Sequence, residues 1–252
     1  MDLTTLARTL LDLHHTGTTL VLPSVWDAWS ARAVAEAGFP ALSIGSHPLA
    51  DSRGQGDKED MSLDDALDGV RRICGAVPEL PVTADLESGY DTAPAELIER
   101  MLEAGAVGLN IEDTVHSEGR MRSVQEHADY IGALRQASDA AGVDVVINAR
   151  TDVFLKKDQF DDPIGEALTR LRACEEAGAR CVYPVGAPDA ETLQSLLAGL
   201  NGPVNVIANP RTGSAAGSLE DLQGLGVHRV TFGPKLQQEL STDLGALVAR
   251  WR

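Results

Sequence analysis

Short apolar runs alternate along this chain with longer stretches of helical periodicity. Thr18-Thr-Leu-Val-Leu22 and Asp144-Val-Val-Ile-Asn148 are the kind of run expected of strands buried on both faces. One phrase recurs: Glu36-Ala-Gly38-Phe-Pro-Ala-Leu42, Glu103-Ala-Gly105-Ala-Val-Gly-Leu109, Glu176-Ala-Gly178-Ala-Arg-Cys-Val182 and, more loosely, Leu225-Gly226-Val-His-Arg-Val230. In each, a helical stretch ends at a glycine able to take the left-handed conformation just past a helix, and an apolar strand follows. Reading outward from these joints predicts strands near 19–22, 41–44, 81–85, 106–111, 144–149, 180–183, 204–208 and 228–232. Helices are predicted over 27–37, 63–74, 94–104, 124–141, 163–177, 189–198, 218–224 and 235–250. Pro94, Pro163 and Pro188 stand at or just before helix starts, where a missing N–H costs nothing. Leu3, Leu6, Leu10 and Leu13, with Asp2 and Asp12 between them, describe one more amphipathic helix at the amino end, not an export signal.

Eight strands alternating with eight helices predict a closed α/β barrel of the (β/α)8 TIM type, as a single domain over 1–252 with an extra N-terminal helix. An open doubly wound sheet is the rival. It would show a glycine-rich first turn, whereas Pro23-Ser-Val-Trp26-Asp27 follows the first strand. Two long loops, 45–62 and 112–123, fall on the face where such barrels keep their chemistry.

Charge narrows the partners. With 21 basic and 38 acidic residues the net charge is −17, a field that repels nucleic acid and anionic membrane surfaces. It also repels an anionic substrate, which would need a local positive centre, from arginine or a metal ion. Cys74, Cys174 and Cys181 lack metal-ligand spacing and read as reduced thiols, and no apolar run approaches membrane-spanning length. A cytoplasmic protein acting on a small molecule is expected.

Acidic residues collect at predicted strand ends. Asp85 and Glu87 are two apart, so their side chains leave one face of an extended chain. Glu112 and Asp113 close the fourth strand, and Asn148, Arg150 and Asp152 share one parity of the fifth. Carboxylates gathered in this way repel one another unless positive charge sits among them, and a hard divalent cation with oxygen and water ligands is the usual remedy. The plain alternative is a salt-bridged layer of barrel interior, with Arg150 against Glu112. Tyr183 and Asn209, at the sixth strand end and after the seventh, point at the pocket if the barrel is right. His14 and His15 end the first helix, where positive charge suits the dipole. Trp26 and Trp29 are expected to pack beneath the site.

Taken together, Trp26-Asp27-Ala28-Trp29-Ser30-Ala31-Arg32, Gly45-Ser46, Gly56-Asp57, Ala84-Asp85-Leu86-Glu87-Ser88-Gly89-Tyr90, Gly108-Leu109-Asn110-Ile111-Glu112-Asp113 and Asn148-Ala149-Arg150-Thr151-Asp152 carry a resemblance. The chain resembles the isocitrate lyase/phosphoenolpyruvate mutase superfamily over nearly its whole length. The resemblance implies Mg2+ as cofactor, with Mn2+ as a possible substitute. Asp85 would be the direct ligand, and Asp57, Glu87 and Glu112 would lie around the metal, largely through water. It implies a small anionic carboxylate as substrate, bound at Gly45, Ser46, Asp85 and Arg150, and enolate chemistry with Arg150, Glu112 and Asp57 as catalytic candidates. It also implies a homo-oligomer, a dimer or tetramer.

The loop after the fourth strand departs from the family pattern. Lyases of the family carry Lys-Lys/Arg-Cys-Gly-His there, and phosphonopyruvate-forming mutases carry Lys-Thr-Asn-Ser. This chain reads Thr114-Val-His116-Ser117-Glu118-Gly119-Arg120-Met121-Arg122. His116, Ser117 and Glu118 are candidates to supply a proton, and Arg120 or Arg122 to clamp a second carboxylate, in a loop read as a lid. The leading expectation is a carbon–carbon lyase or decarboxylase for a 2-oxo or 2-hydroxy dicarboxylate. The alternatives are carbon–phosphorus chemistry on phosphonopyruvate, or a barrel that binds metal and metabolite without turnover.

Overall fold

A computed structural model describes residues 2–252 of the chain. In chain order it places α1 (Leu3–Leu13), β1 (Leu20–Leu22), β2 (Ser24–Val25), α2 (Ala28–Glu36), β3 (Leu42–Ile44), α3 (Ser46–Ser52), α4 (Leu63–Ala76), β4 (Val82–Asp85) and α5 (Pro94–Glu103). Then come β5 (Gly108–Glu112), β6 (Thr114–Val115), β7 (Arg120–Met121), α6 (Val124–Ala140), β8 (Val146–Thr151), a 3-10 turn over Val153–Gln159, α7 (Pro163–Glu176) and β9 (Cys181–Pro184). The chain ends with α8 (Ala190–Gly199), β10 (Asn205–Ile207), α9 (Leu219–Leu225), β11 (Arg229–Thr231) and α10 (Lys235–Ala249).

The barrel closes through one divided strand. Pro23 has no N–H for a ladder, so the first strand breaks there. Its first half, β1, pairs with β11, and its second half, β2, pairs with β3. From β2 the parallel order runs β3, β4, β5, β8, β9, and a parallel bridge from Val182 to Val204 carries it to β10 and β11. All eight predicted strands and all nine predicted helices are present. The joint glycines do what their position suggests: Gly38, Gly105, Gly178 and Gly226 have φ of 89°, 96°, 104° and 89°. Helix starts are set by side chains, with capping boxes at Asp27/Ser30, Ser123/Glu126 and Ser218/Asp221.

The core runs between the strands and the surrounding helices, with α1 packed into it through Leu6, Ala7 and Leu10. A Cβ added at Gly108 would lie 2.9 Å from Leu10 Cδ2 and 2.9 Å from Thr83 Oγ1. α1 therefore plugs the bottom of the barrel, against a glycine that leaves it room. Above Gly108 on the same face of β5 come Asn110 and Glu112. Their partners in register on β8 are Val146, Asn148 and Arg150. No helix among the described residues is long and apolar enough to cross a membrane.

Three expectations need correction. His14 does not complement the helix dipole: it is buried, its Nδ1 lies 2.7 Å from the Leu10 carbonyl, and burial together with nearby Arg229 pushes its pKa down to about 3. Trp29 is 62% exposed and lies on the surface, while Trp26 is buried. The two long loops are also structured: 45–62 begins with α3, and 112–123 is an antiparallel hairpin with Thr114 opposite Met121 and Val115 opposite Arg120.

Gly108→Ala should overfill the plug and lower unfolding free energy by about 1–3 kcal/mol, read as a fall in Tm with the far-UV spectrum unchanged. An unchanged Tm would mean that α1 does not seal the barrel. His14 supplies a pH test. Its folded pKa, about 3, lies below its ordinary value of 6.5. Between those limits the unfolded chain binds a proton that the folded chain refuses, so stability is complete above the unfolded value and falls as pH drops towards 3. His14→Met should flatten that acid limb by about one proton, up to roughly 1.4 kcal/mol per pH unit, in denaturant titrations at several pH values.

Candidate active site

Arg150 is the centre of the polar mouth. Its Nη1 lies 2.7 Å from Glu112 Oε2, and its Nε donates to Asp152 Oδ1 at 2.7 Å. Asp152 also accepts from Thr114 Oγ1 at 2.6 Å. Behind this pair, Asp113 accepts from Thr151 Oγ1 at 2.6 Å and from the Asp152 N–H at 2.9 Å, and Arg170 Nη1 stands 3.3 Å away. The ends of β5 and β8 are thus stitched by alternating charges. Burial alone would lower the Arg150 pKa, but Glu112, Asp152 and Asp85 raise it further and keep the guanidinium charged.

For the acids, burial outweighs such compensation. Burial raises the pKa of Asp85, with Arg150 opposing. Burial, then Asp85, Asp57 and Glu112, pushes Glu87 up to about 8. Glu112 is raised by burial too, against Arg150 and the hydrogen bond from His116. Only hard oxygen donors face one another here. A cation among them would relieve both the burial penalty and the mutual repulsion, so the donor set fits a metal such as Mg2+. Among the described residues no three His, Cys, Asp or Glu side chains form a finished cage.

Two loops frame the acids. Glu59 N donates to Glu87 Oε2 at 2.6 Å, while Glu59 Oε1 accepts from the Ser88 and Tyr90 N–H groups at 3.0 and 2.9 Å. Lys58, Glu59, Glu87, Tyr90 and Asp91 all have positive φ, which side-chain-bearing residues adopt only under constraint. Gly45 caps α3 and opens its first turn towards the pocket, and a Cβ there would stand 2.8 Å from Pro48 Cγ. Ser46 Oγ lies 3.3 Å from Asp85 Oδ2 and 3.5 Å from Asp57 Oδ1, and His47 Nδ1 is 3.1 Å from Asp57 Oδ2.

A cavity of about 190 Å³ lies among these groups, lined by Gly45, Ser46, Asp57, Asp85, Arg150 and Tyr183. A second of about 480 Å³ shares Ser46, Asp57 and Arg150 with it and adds Glu87, Glu112, His116, Lys58 and Lys156. The inner space is small for a ligand site and suits a few-carbon acid.

The family model for phosphoenolpyruvate phosphomutase matches residues 10–250. The chain belongs to that family. Its relatives include the oxaloacetate decarboxylase of Pseudomonas fluorescens SBW25, 29% identical over 240 residues that cover 90% of this chain and 78% of that one. A Burkholderia cenocepacia J2315 structure, provisionally assigned as a phosphonomutase, is 41% identical with a TM-score of 0.88 and covers 97% of this chain and 99% of that one. The structure of oxaloacetate acetylhydrolase with its product oxalate is 25% identical, again with a TM-score of 0.88, covering 99% of this chain and 88% of that one. The family therefore holds both carbon–carbon and carbon–phosphorus enzymes on this barrel.

Of the residues expected from sequence, Gly45, Ser46, Asp57, Asp85, Glu87, Glu112, His116, Arg150 and Tyr183 line the two joined cavities. Asn209 does not. Its Nδ2 donates to Glu239 at 2.7 Å, its Oδ1 accepts from the Arg211 and Thr212 N–H groups, and it lines a separate cavity with Leu219 and Phe232. Glu118 is also displaced: it lies at the exposed hairpin tip, 2.5 Å from Arg120, whose other partner is Glu126 at the start of α6. Arg122 is spent on the Glu112 and Ser88 carbonyls at 3.1 and 2.9 Å and stacks over Tyr130, so neither arginine is a free clamp. His116 is the hairpin residue that reaches inward, Nε2 standing 2.6 Å from Glu112 Oε1 and 3.7 Å from Glu87 Oε2. Sequence reading missed Glu59, Lys58 and Lys156. Only their membership of loops near the barrel mouth hinted at them.

Proposed function

We propose that this chain is a Mg2+-dependent carbon–carbon lyase or decarboxylase acting on a small 2-oxo or 2-hydroxy dicarboxylate through an enolate. The observation that carries the reading is Arg150, charged and pinned between Glu112 and Asp152, at the wall of a 190 Å³ cavity that also holds Asp85. Asp85 would hold the cation, with Asp57, Glu87 and Glu112 around it, and Mn2+ would serve the same oxygen donors. When bound, the cation supplies positive charge where the substrate's oxygens become negative.

The chain's own groups do the rest. Arg150 offers a planar fork to a carboxylate. The Ser46 hydroxyl and the unpaired N–H groups in the first turn of α3 can donate to oxygens that gain charge as the bond breaks. Tyr183, whose pKa burial raises, keeps its phenol proton and stays a donor. His116, whose pKa the Glu112 hydrogen bond raises, can return a proton to the enolate carbon from the hairpin side. Rival carbon–phosphorus chemistry draws support from Lys58 and Lys156 at the outer cavity, which suit a more highly charged phosphonate, and from the 41% identical neighbour.

Product NMR over a panel of 2-oxo, 2-hydroxy and phosphono acids with added Mg2+ tests the reading. Dicarboxylate cleavage should appear, should stop with EDTA, and should fall at least ~1000-fold in Asp85→Ala and ~100-fold in Arg150→Lys. Cleavage indifferent to EDTA and to Asp85→Ala would sink it. Turnover of phosphonopyruvate alone would transfer the assignment to carbon–phosphorus chemistry, and oxalate binding without any turnover would leave a binding barrel.

We also propose that the chain self-associates as a dimer or tetramer. Leu240, Leu244, Leu247 and Trp251 recur at helical spacing along α10 and just beyond it, 39%, 61%, 58% and 91% exposed, and no residue of α10 is buried. The double change Leu244→Glu/Leu247→Glu should reduce the light-scattering mass to that of one chain. A wild-type chain already monomeric at micromolar concentration would refute the oligomer.

A further inference from the structure

Beneath the pocket the barrel buries a cation that the chemistry above leaves unused. Arg229, on β11, is fully buried. Its Nη2 reaches Asn110 Oδ1 at 3.3 Å, while Nε and Nη1 have no hydrogen-bond partner among the described residues. Asn110 is paired in register with Asn148 across β5 and β8, and Asn148 Nδ2 donates to the same Oδ1 at 2.7 Å. A carboxamide oxygen has two lone pairs, and the two protein donors occupy both.

Two facing asparagines alone would not decide which way each amide points. Turning both over keeps one N–H···O bond between them. The guanidinium removes that freedom, because it carries donors only. An Asn110 amide nitrogen turned towards Arg229 would set donor against donor in a buried place, where an unmade bond is expensive. The oxygen must therefore face Arg229, which leaves the NH2 group on the other side. Asn110 also lines the inner cavity, one layer below Arg150 in the register of the two strands, and its Nδ2 makes no bond to the described residues. An uncompensated buried charge is a costly way to fill space, so packing alone would favour an apolar side chain at Arg229.

We propose that Asn110 is a substrate-binding residue whose amide NH2 donates to an anionic oxygen deep in the pocket, and that Arg229 and Asn148 are positioning residues that hold it in that orientation. The inference rests on the anionic-substrate reading and narrows it. The ligand must present an acceptor oxygen at the level of Asn110, as a carboxylate or 2-oxo group does and an ammonium group does not.

The test is calorimetric titration with oxalate and Mg2+ of the wild-type chain, Asn110→Ala, Arg229→Met and Arg229→Lys, together with NMR of the Asn110 side-chain amide, assigned by its loss in Asn110→Ala. Oxalate affinity should fall about tenfold in Asn110→Ala, the loss expected for one hydrogen bond to a charged oxygen. It should fall similarly in Arg229→Met and return to within about twofold of wild type in Arg229→Lys, which restores a donor-only cation. The Asn110 amide signals should shift when oxalate saturates the wild-type chain. Equal affinity in wild type and Asn110→Ala, or an unmoved Asn110 amide, overturns the inference and leaves the functional reading standing. A wild-type chain that binds no oxalate removes the anion-site reading first and this inference with it. Should Arg229→Met fail to fold, Asn110→Ala and the amide signal still decide.

Discussion

The site depends on the cross-strand pairing of Glu112 on β5 with Arg150 on β8. A slip of one residue in that register would turn one of the two side chains out of the barrel and part the pair. The pair is largely buried, Glu112 more than Arg150, which by itself makes it a poor source of stability. Its value lies in constraint. The charges stitched to it have second partners: Arg150 also holds Asp152, Asp152 holds Thr114, and Asp113 ties Thr151 to Arg170. Removing one member would strand a buried charge, at a cost of about 3–5 kcal/mol. The guanidinium therefore keeps one position, which a planar contact with a carboxylate requires.

A second constraint comes from the loops. Glu59 fastens the segment after β4 by accepting from two backbone N–H groups while its own N–H bonds Glu87. The left-handed residues on both sides of this contact store strain that the surrounding structure must hold in place. The strain collects beside Glu87, whose pKa burial and the neighbouring Asp85, Asp57 and Glu112 raise. The hairpin of β6 and β7 closes the same side, anchored to α6 through Arg120 and Glu126, and turns Thr114 and His116 inward.

The strands and helices were legible because burial imposes periodicity and because four helix-to-strand joints carry the same glycine phrase. The charged site residues were legible too, since Asp85, Glu87, Glu112 and Arg150 fall at strand ends. Less could be read where a short segment or a local hydrogen bond overrides the pattern. α3 spans seven residues and β6 and β7 two each, too few to show a period. Asn209 follows a strand as a site residue would, yet the chain has already turned outward, and its carboxamide does the turn-forming work common for asparagine. His14 had a usable signal that the dipole argument obscured: it continues the Leu6–Leu10 stripe at a spacing of four, the buried side of α1. Glu59 gave only its place in a loop near the barrel mouth, because its contact with Glu87 spans 28 residues between two loops.

Polarity inside the barrel is graded from bottom to top. Leu10 against Gly108 closes the floor, the Asn110, Asn148 and Arg229 layer lies above it, and the carboxylates with Arg150 form the mouth. The gradient answers a difficulty raised by composition. A chain of net charge −17 repels the anions its pocket would take, so capture must depend on positive charge that water cannot screen. The exposed Arg120 and Arg211 cannot supply it, since both are neutralised by neighbouring acids. Arg229 is fully buried two residues before Thr231, which lines the cavity, and the half-buried Arg150 lines it directly, so a low local dielectric lengthens the reach of their charge. On the proposed reading, the acids around them would act less as a barrier to an anion than as a demand for a cation, and the two charges entering together would leave the buried layer closer to neutrality than either could alone.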